Sequence, residues 1–264
     1  MNRKTLKSDF TKDNVPDWVC PTCSKGVLRL KDKSLVFDHS KKSTEAYRKN
    51  DIHEVIEYVY SCIFECNNKS CKENLSSTGS GFVEIDEIFN EKTKNFDFDH
   101  VNFFVPKYFE PPLNIFKIPE KCPKVVVESL IESFKLFFAS PKAAANQARI
   151  ALEVLLTEFK IKSYTINSKR SRIKLNLHQR IDLMGKSNKK YAQFKDFLLA
   201  CKWLGNEGSH IGVITQDDVL DLYDLVEHVL REVYESPTEK LKSLAKKINK
   251  NKGSGNRRAN KITL

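Results

Sequence analysis

Apolar positions change their spacing once along this chain. Up to about residue 85 they alternate or fall in short runs, as in VLRL after Gly26, SLVF at 34–37, EVIEYVYSCIF at 54–64 and GFVEI at 81–85. A period of two between Gly-marked turns predicts short antiparallel strands. Residues 90–122 are rich in aromatics and prolines but lack a clean period, which predicts an extended connector and a domain boundary. From Pro123 the spacing becomes helical. Val126, Leu130, Phe134 and Phe137 form one stripe over 124–138, and Ser140 before Pro141 is an N-cap and first-turn signal. The helix it opens should reach about Lys160. Ala144, Ala148, Leu152, Leu155 and Phe159 keep its period, and its small residues allow close approach of a neighbour. Residues 163–174 are polar and basic and read as a loop. Further helices are expected at 175–184, 191–204 and 216–235, the last opened by Thr215 with Asp218 three residues on and ended by Pro237. Five helices with short connections predict a bundle.

The expected fold class is therefore α+β. A small antiparallel β unit occupies 18–89, the connector 90–122, an all-α bundle 123–236, and a flexible, disordered tail 237–264. Residues 1–17 are polar and read as a loose leader, so the fold should begin near Trp18. With 40% hydrophobic residues and 17 Phe among 264, the chain has material for a core and is not of the disordered class. No apolar run approaches the roughly 20 residues needed to span a bilayer. The start, MNRKTLKSDFTKDN, has no apolar segment behind its basic residues, so neither export nor membrane insertion is expected. The net charge of +11 is unevenly placed. Residues 239–264 hold nine Lys or Arg against one acid, whereas 1–124 hold 20 against 19 and 125–238 hold 16 against 14. The tail, with Arg257 and Arg258, reads as an arm attracted to polyanions, or as a solubilising extension.

Seven cysteines are an odd number, and four of them fall in metal-type pairs. Cys20 and Cys23 form Cys-x2-Cys in WVCPTCSKG, and Cys66 with Cys71 forms Cys-x4-Cys in FECNNKSCKE. Two tight turns, each aiming two thiolates, complete a tetrahedral S4 site, and with every position filled by protein the expected zinc is structural. Cys62 lies on the same strand and competes with Cys66. The turn in CNNKSC favours Cys66, whereas Cys62 continues the alternation of Tyr58, Tyr60 and Phe64. His39 and His53 are weaker ligand candidates, and Cys122 and Cys201 read as free thiols in or near the helical core. Unpaired cysteines of this kind point to a reducing cytoplasm.

The string KWLGNEGSHIG at 202–212 combines a helix stop with a polar cluster. Gly205 suits a left-handed C-terminal position, Gly208 permits close approach, and His210 falls beside Asn206 on a turn. Together with SPKAAANQARIALEVLL, LHQRIDLM and TQDDVLDLYDLVEHVLREVY, this string resembles the bacterial domain of unknown function 4145. That family is considered similar to the HEPN helical bundles. The resemblance covers about residues 105–236 and implies a HEPN-like bundle that dimerises, accompanied by a zinc-ribbon-like N-terminal element. It further implies a place in prokaryotic restriction or phage defence. Carried over to this chain, it marks Arg149, Glu153, Lys202, Asn206 and His210. The HEPN ribonucleases place four to six residues between an Arg and a His; here seven residues separate Lys202 from His210, and an ammonium cannot make the bidentate phosphate contact of a guanidinium. Arg149 and Glu153, four apart, also suit a simple ion pair.

These readings lead to a zinc-containing, nucleic-acid-associated or adaptor protein that acts mainly by binding. DNA or RNA would meet Lys169, Arg170, Arg172 and Lys174 in the basic loop and the cationic tail, and a protein partner would meet the zinc ribbon. The alternative is a metal-independent ribonuclease built on His210, Asn206, Lys202 and Arg149.

Overall fold

The chain enters its core well before Trp18. The computed structural model describes residues 1–50, 56–90, 94–187, 189–207 and 213–251. Helix α1 (Arg3–Lys7) opens on Asn2, whose side chain accepts from the Thr5 N–H. Strands β1 (Leu28–Leu30) and β2 (Val36–His39) follow, then helix α2 (Lys41–Asn50). The long strands β3 (Glu57–Cys66), β4 (Asn74–Asn90) and β5 (Asn95–Glu110) come next. The five strands form one antiparallel curled sheet in which β1 and β2 share an edge of β3, and β4 separates β3 from β5. Along β3 the positions from Tyr58 to Cys66 alternate between buried and more exposed, as the period of two predicts.

Two expectations need correcting in this half. The extended connector expected over 90–122 is a strand over Asn95–Glu110, β5, which pairs with β4 along its length. Its period is hidden by a register shift next to Gly79, which faces Pro106; a proline at a bulge is one of the few positions a strand tolerates. Residues 1–17 are not a loose leader either. Phe10 exchanges both backbone hydrogen bonds with Phe104 and is 1% exposed. Its ring meets Trp18, Tyr60, Phe64 and Phe104 at 5.2–6.0 Å. One aromatic in a polar stretch leaves no periodic signal.

The second half is helical: α3 (Lys124–Phe137), α4 (Pro141–Glu158), α5 (Leu177–Ser187), α6 (Lys189–Ala192), α7 (Lys195–Glu207), α8 (Gln216–Tyr234) and α9 (Pro237–Asn251). Val126, Leu130, Phe134 and Phe137 are buried on α3, and Ala144, Ala148, Leu152 and Leu155 on α4. The Ser140 hydroxyl accepts from the Ala143 N–H, and Thr215 with Asp218 forms a full capping box. Between α4 and α5, residues 163–174 are a two-stranded ribbon rather than a loop. Strands β6 (Tyr164–Ile166) and β7 (Arg172–Lys174) have three residues each, below the length at which alternation is readable. The expected disordered tail is helical as far as Asn251, with residues 252–264 outside the described set. Lys, Leu, Ala and Ile in PTEKLKSLAKKINKN sustain a helix that the charge count alone concealed.

Sheet and helices share one apolar cluster. Phe109 of β5 meets Phe138 at 5.0 Å, and Phe116 and Tyr223 meet Phe134 at 5.1 and 5.2 Å. Helix α1 straps the two parts together from outside. Arg3 pairs with Asp221 and Asp224 of α8, Lys7 with Asp217, and the Trp18 indole donates to the Thr5 carbonyl at 2.9 Å.

Candidate functional site

Cys20 precedes a tight turn. Its carbonyl accepts from the Ser24 N–H, its own N–H donates to Gly26, and Ser24 takes a φ of 52° to reverse the chain. The second turn has the same construction. Asn68 accepts from the Cys71 and Lys72 N–H groups, and Lys72 takes a φ of 54°. The two turns are locked face to face by Asn67, whose N–H donates to the Val27 carbonyl while its side-chain oxygen accepts from the Val27 N–H.

This brings the sulfurs of Cys20, Cys23, Cys66 and Cys71 within 4.8 Å of one another. Cys20 and Cys71 are 3.9 Å apart, Cys23 and Cys66 3.7 Å. Four sulfurs about 2.3 Å from one ion stand about 3.8 Å apart on the edges of a tetrahedron, so the arrangement fits a tetrathiolate metal centre. The Gly26 N–H points at the Cys23 sulfur at 3.4 Å, and the Asn68 amide at 3.6 Å. The N–H groups of Gly26 and Lys25 hold the Cys23 thiol down to about 6, whereas burial pushes Cys66 up to about 12. One sulfur is thus ready to ligate as thiolate, and another needs the charge of an ion to lose its proton.

Cys66, not Cys62, closes the group. Cys62 lies four residues earlier on the same face of β3, within the buried layer, and burial pushes its thiol up to about 12. His39 lies on β2 edge-on to Tyr58 at 5.0 Å and outside the cluster, and His53 falls outside the described residues. Cys122 and Cys201 are buried free thiols. Sequence reasoning missed Gly26, Asn67 and Asn68. A β-carbon on Gly26 would stand 2.5 Å from the Cys66 sulfur, so glycine is required there. The signal available was the Gly three residues after Cys23, with two Asn after Cys66.

The residues marked in the helical half are held by neighbours within it. Arg149 donates to Glu153 at 2.9 Å, and the Lys202 ammonium lies 3.2 Å from the centre of the Trp203 ring. Asn206 is half-buried near the end of α7. Gly205 does not stop the helix, which runs on to Glu207. It lets α7 press on α4, since a β-carbon there would lie 2.6 Å from the Arg149 Cβ. His210 and Gly208 fall outside the described residues. Unanticipated was Arg180, 4% exposed on α5, which donates to the Glu153 and Ile161 carbonyls and to the Thr157 hydroxyl, holding the end of α4.

The basic residues expected to meet nucleic acid stand on the β6–β7 ribbon. Both strands are exposed throughout. Arg172 and Lys174 share a face with Tyr164 and Ile166, and the Arg172 guanidinium lies 3.9 Å from the centre of the Tyr164 ring. Lys169 and Arg170 form the tip. Arg170 takes a φ of 59° at a hairpin position that favours glycine, at a cost of roughly 1 kcal/mol. No Asp or Glu occurs between Glu158 and Asp182. Arg257 and Arg258 fall outside the described residues.

Residues 8–109 match the family described as domain of unknown function DUF8608, which spans the cysteine turns and the sheet as far as Phe109. Residues 131–251 match the domain of unknown function DUF4145. This second match supports the resemblance drawn from the helical motifs and extends it through α9. No curated protein and no solved structure matches the chain. No described helix is long and apolar enough to cross a membrane.

Proposed function

We propose that the protein is a nucleic-acid-associated module that acts by binding. A structural zinc ion on Cys20, Cys23, Cys66 and Cys71 holds the sheet, and the β6–β7 ribbon supplies the contact to phosphate. The observation that carries this reading is the ribbon itself. A two-stranded hairpin is marginal in water, yet this one is exposed on both strands, carries four cations at its tip and along one face, and has no carboxylate in its own sequence. Such a surface is suited to a polyanion rather than to a protein core, and a two-stranded ribbon has the width of a duplex major groove. Zinc is favoured by four thiolates with no remaining ligand position for substrate or water. Free thiols elsewhere suit a reducing, cytoplasmic setting.

The test is anisotropy of labelled duplex DNA and RNA with the full chain across a salt series. Replacing Lys169, Arg170, Arg172 and Lys174 together by Gln should leave the thermal melt unchanged. The slope of log K against log salt should become shallower by up to about 3.6, roughly 0.9 for each phosphate that is no longer neutralised. A wild-type protein that binds neither nucleic acid, or a variant with the wild-type slope, would remove the reading.

A further inference from the structure

Helix α9 leaves the bundle at Ser236, where φ is 50°, and buries none of its residues. Leu241, Leu244 and Ile248 are 66%, 52% and 45% exposed. Their spacing of three and four residues puts them on one face, at successive a, d and a positions of a heptad, with Lys240 and Lys247 at the flanking g positions. Three aliphatic side chains in a row, held in water, call for a cover.

Lipid suits this seam poorly. It offers about a dozen side-chain carbons and no aromatic ring, less than one myristoyl chain, which alone anchors only marginally. A second α9 suits it poorly too, since each helix brings five lysines against one glutamate. The exposed side of α8 is polar, with Asp217, Asp221 and Asp224 occupied by α1, and none of the described helices offers an apolar seam with acidic flanks. Nucleic acid would meet the lysines and leave the leucines in water. We infer that α9 is a docking helix for an acidic amphipathic helix of another protein. The partner's apolar seam packs on Leu241, Leu244 and Ile248, and its carboxylates pair with Lys240 and Lys247. This inference is independent of the phosphate contact assigned to the ribbon.

The probe is a synthetic helical peptide with Leu at a and d and Glu at e and g, offered to the full chain beside a peptide of equal charge with Ser at a and d. The Leu peptide should bind at least about tenfold more tightly. The Leu241→Ser/Leu244→Ser variant should lose that advantage with its thermal melt and its nucleic-acid binding intact. Lys240→Gln/Lys247→Gln should weaken binding and flatten its salt dependence. Equal binding of the two peptides, or wild-type binding by the leucine variant, would overturn the inference. So would leucine-dependent binding to phosphatidylserine vesicles in place of the peptide, or a dimer in sedimentation that the two leucines control.

Discussion

The sheet end and the helical end of the shared core are ordered by different means. Around the cysteines the buried residues are few and large, with Trp18, Phe64 and Leu28 beside Cys20 and Cys66. The backbone there runs through two turns, from which the Gly26 N–H and the Asn68 amide both point at the Cys23 sulfur. In the helical half the buried residues are many, with alanines and aliphatics alongside aromatics such as Phe134, Phe137 and Tyr223, and each helix satisfies its own backbone. Turns that rely on the proposed ion have no structure of their own to fall back on; a packed helix does. The two ends should therefore respond differently to the same insult.

Removing the zinc ion proposed for the four cysteines is the largest such insult. Structural zinc in small folds contributes apparent binding free energy on the order of 10 kcal/mol, more than most domains have in reserve. Chelation, or Cys66→Ser, should release one zinc per chain. Near-ultraviolet dichroism from Trp18 should collapse while the helical far-ultraviolet signal from α3 to α8 survives. Metal analysis and the two spectral windows, followed in one titration, check this. Simultaneous loss of both signals would show that the helical half depends on the ion as well.

Phe10 sharpens the comparison, because it belongs to the sheet's core but reaches it from the strap that also holds α8. Phe10→Ala removes a ring that is 1% exposed and should cost about 3–5 kcal/mol. Denaturant unfolding should lower the midpoint of the sheet signal more than that of the helical signal. Equal shifts would mean that α1 and the shared core make one cooperative unit.

What the sequence displayed and what it hid follow the same division. Helices α3, α4 and α8 were legible because Val126, Leu130 and Phe134, or Thr215 and Asp218, act through neighbours three or four residues away. The cluster of Cys20, Cys23, Cys66 and Cys71 was legible because each pair lies within one turn. Phe10 was hidden since its partners are Phe104, Tyr60 and Phe64, far along the chain, and strand β5 was hidden behind Pro106. The ribbon and α9 were hidden by their charge, which is the usual mark of a loop or a tail. Gly205 was misread because its lack of a side chain serves α4 across the interface rather than its own helix end.

The smallest effect belongs to the helical half and fades in acid. At the start of α8 the Asp218 carboxylate accepts from the Thr215 N–H at 2.8 Å and from its hydroxyl at 2.6 Å, and these bonds hold it below the usual carboxylate range. A group whose folded pKa is depressed adds stability that is complete above its unfolded value, near 4, and fades as pH falls through the folded one. Thr215→Ala removes the acceptor for the Asp218 N–H and the main cause of the shift, and should cost about 1 kcal/mol at pH 7. Between pH 5 and about 3 the wild-type protein should lose part of this contribution, so that the wild-type and Thr215→Ala helical melts draw together. The carboxylate is near the surface, so added salt should narrow the gap as well. An ion on the four thiolates would respond in the same direction but at higher pH, since acid protonates thiolates and releases the metal. Following helical and near-ultraviolet signals in one acid titration should therefore show the sheet end failing first. Convergence of the two helical melts before the sheet signal moves would reverse that order and place the weaker end in α8.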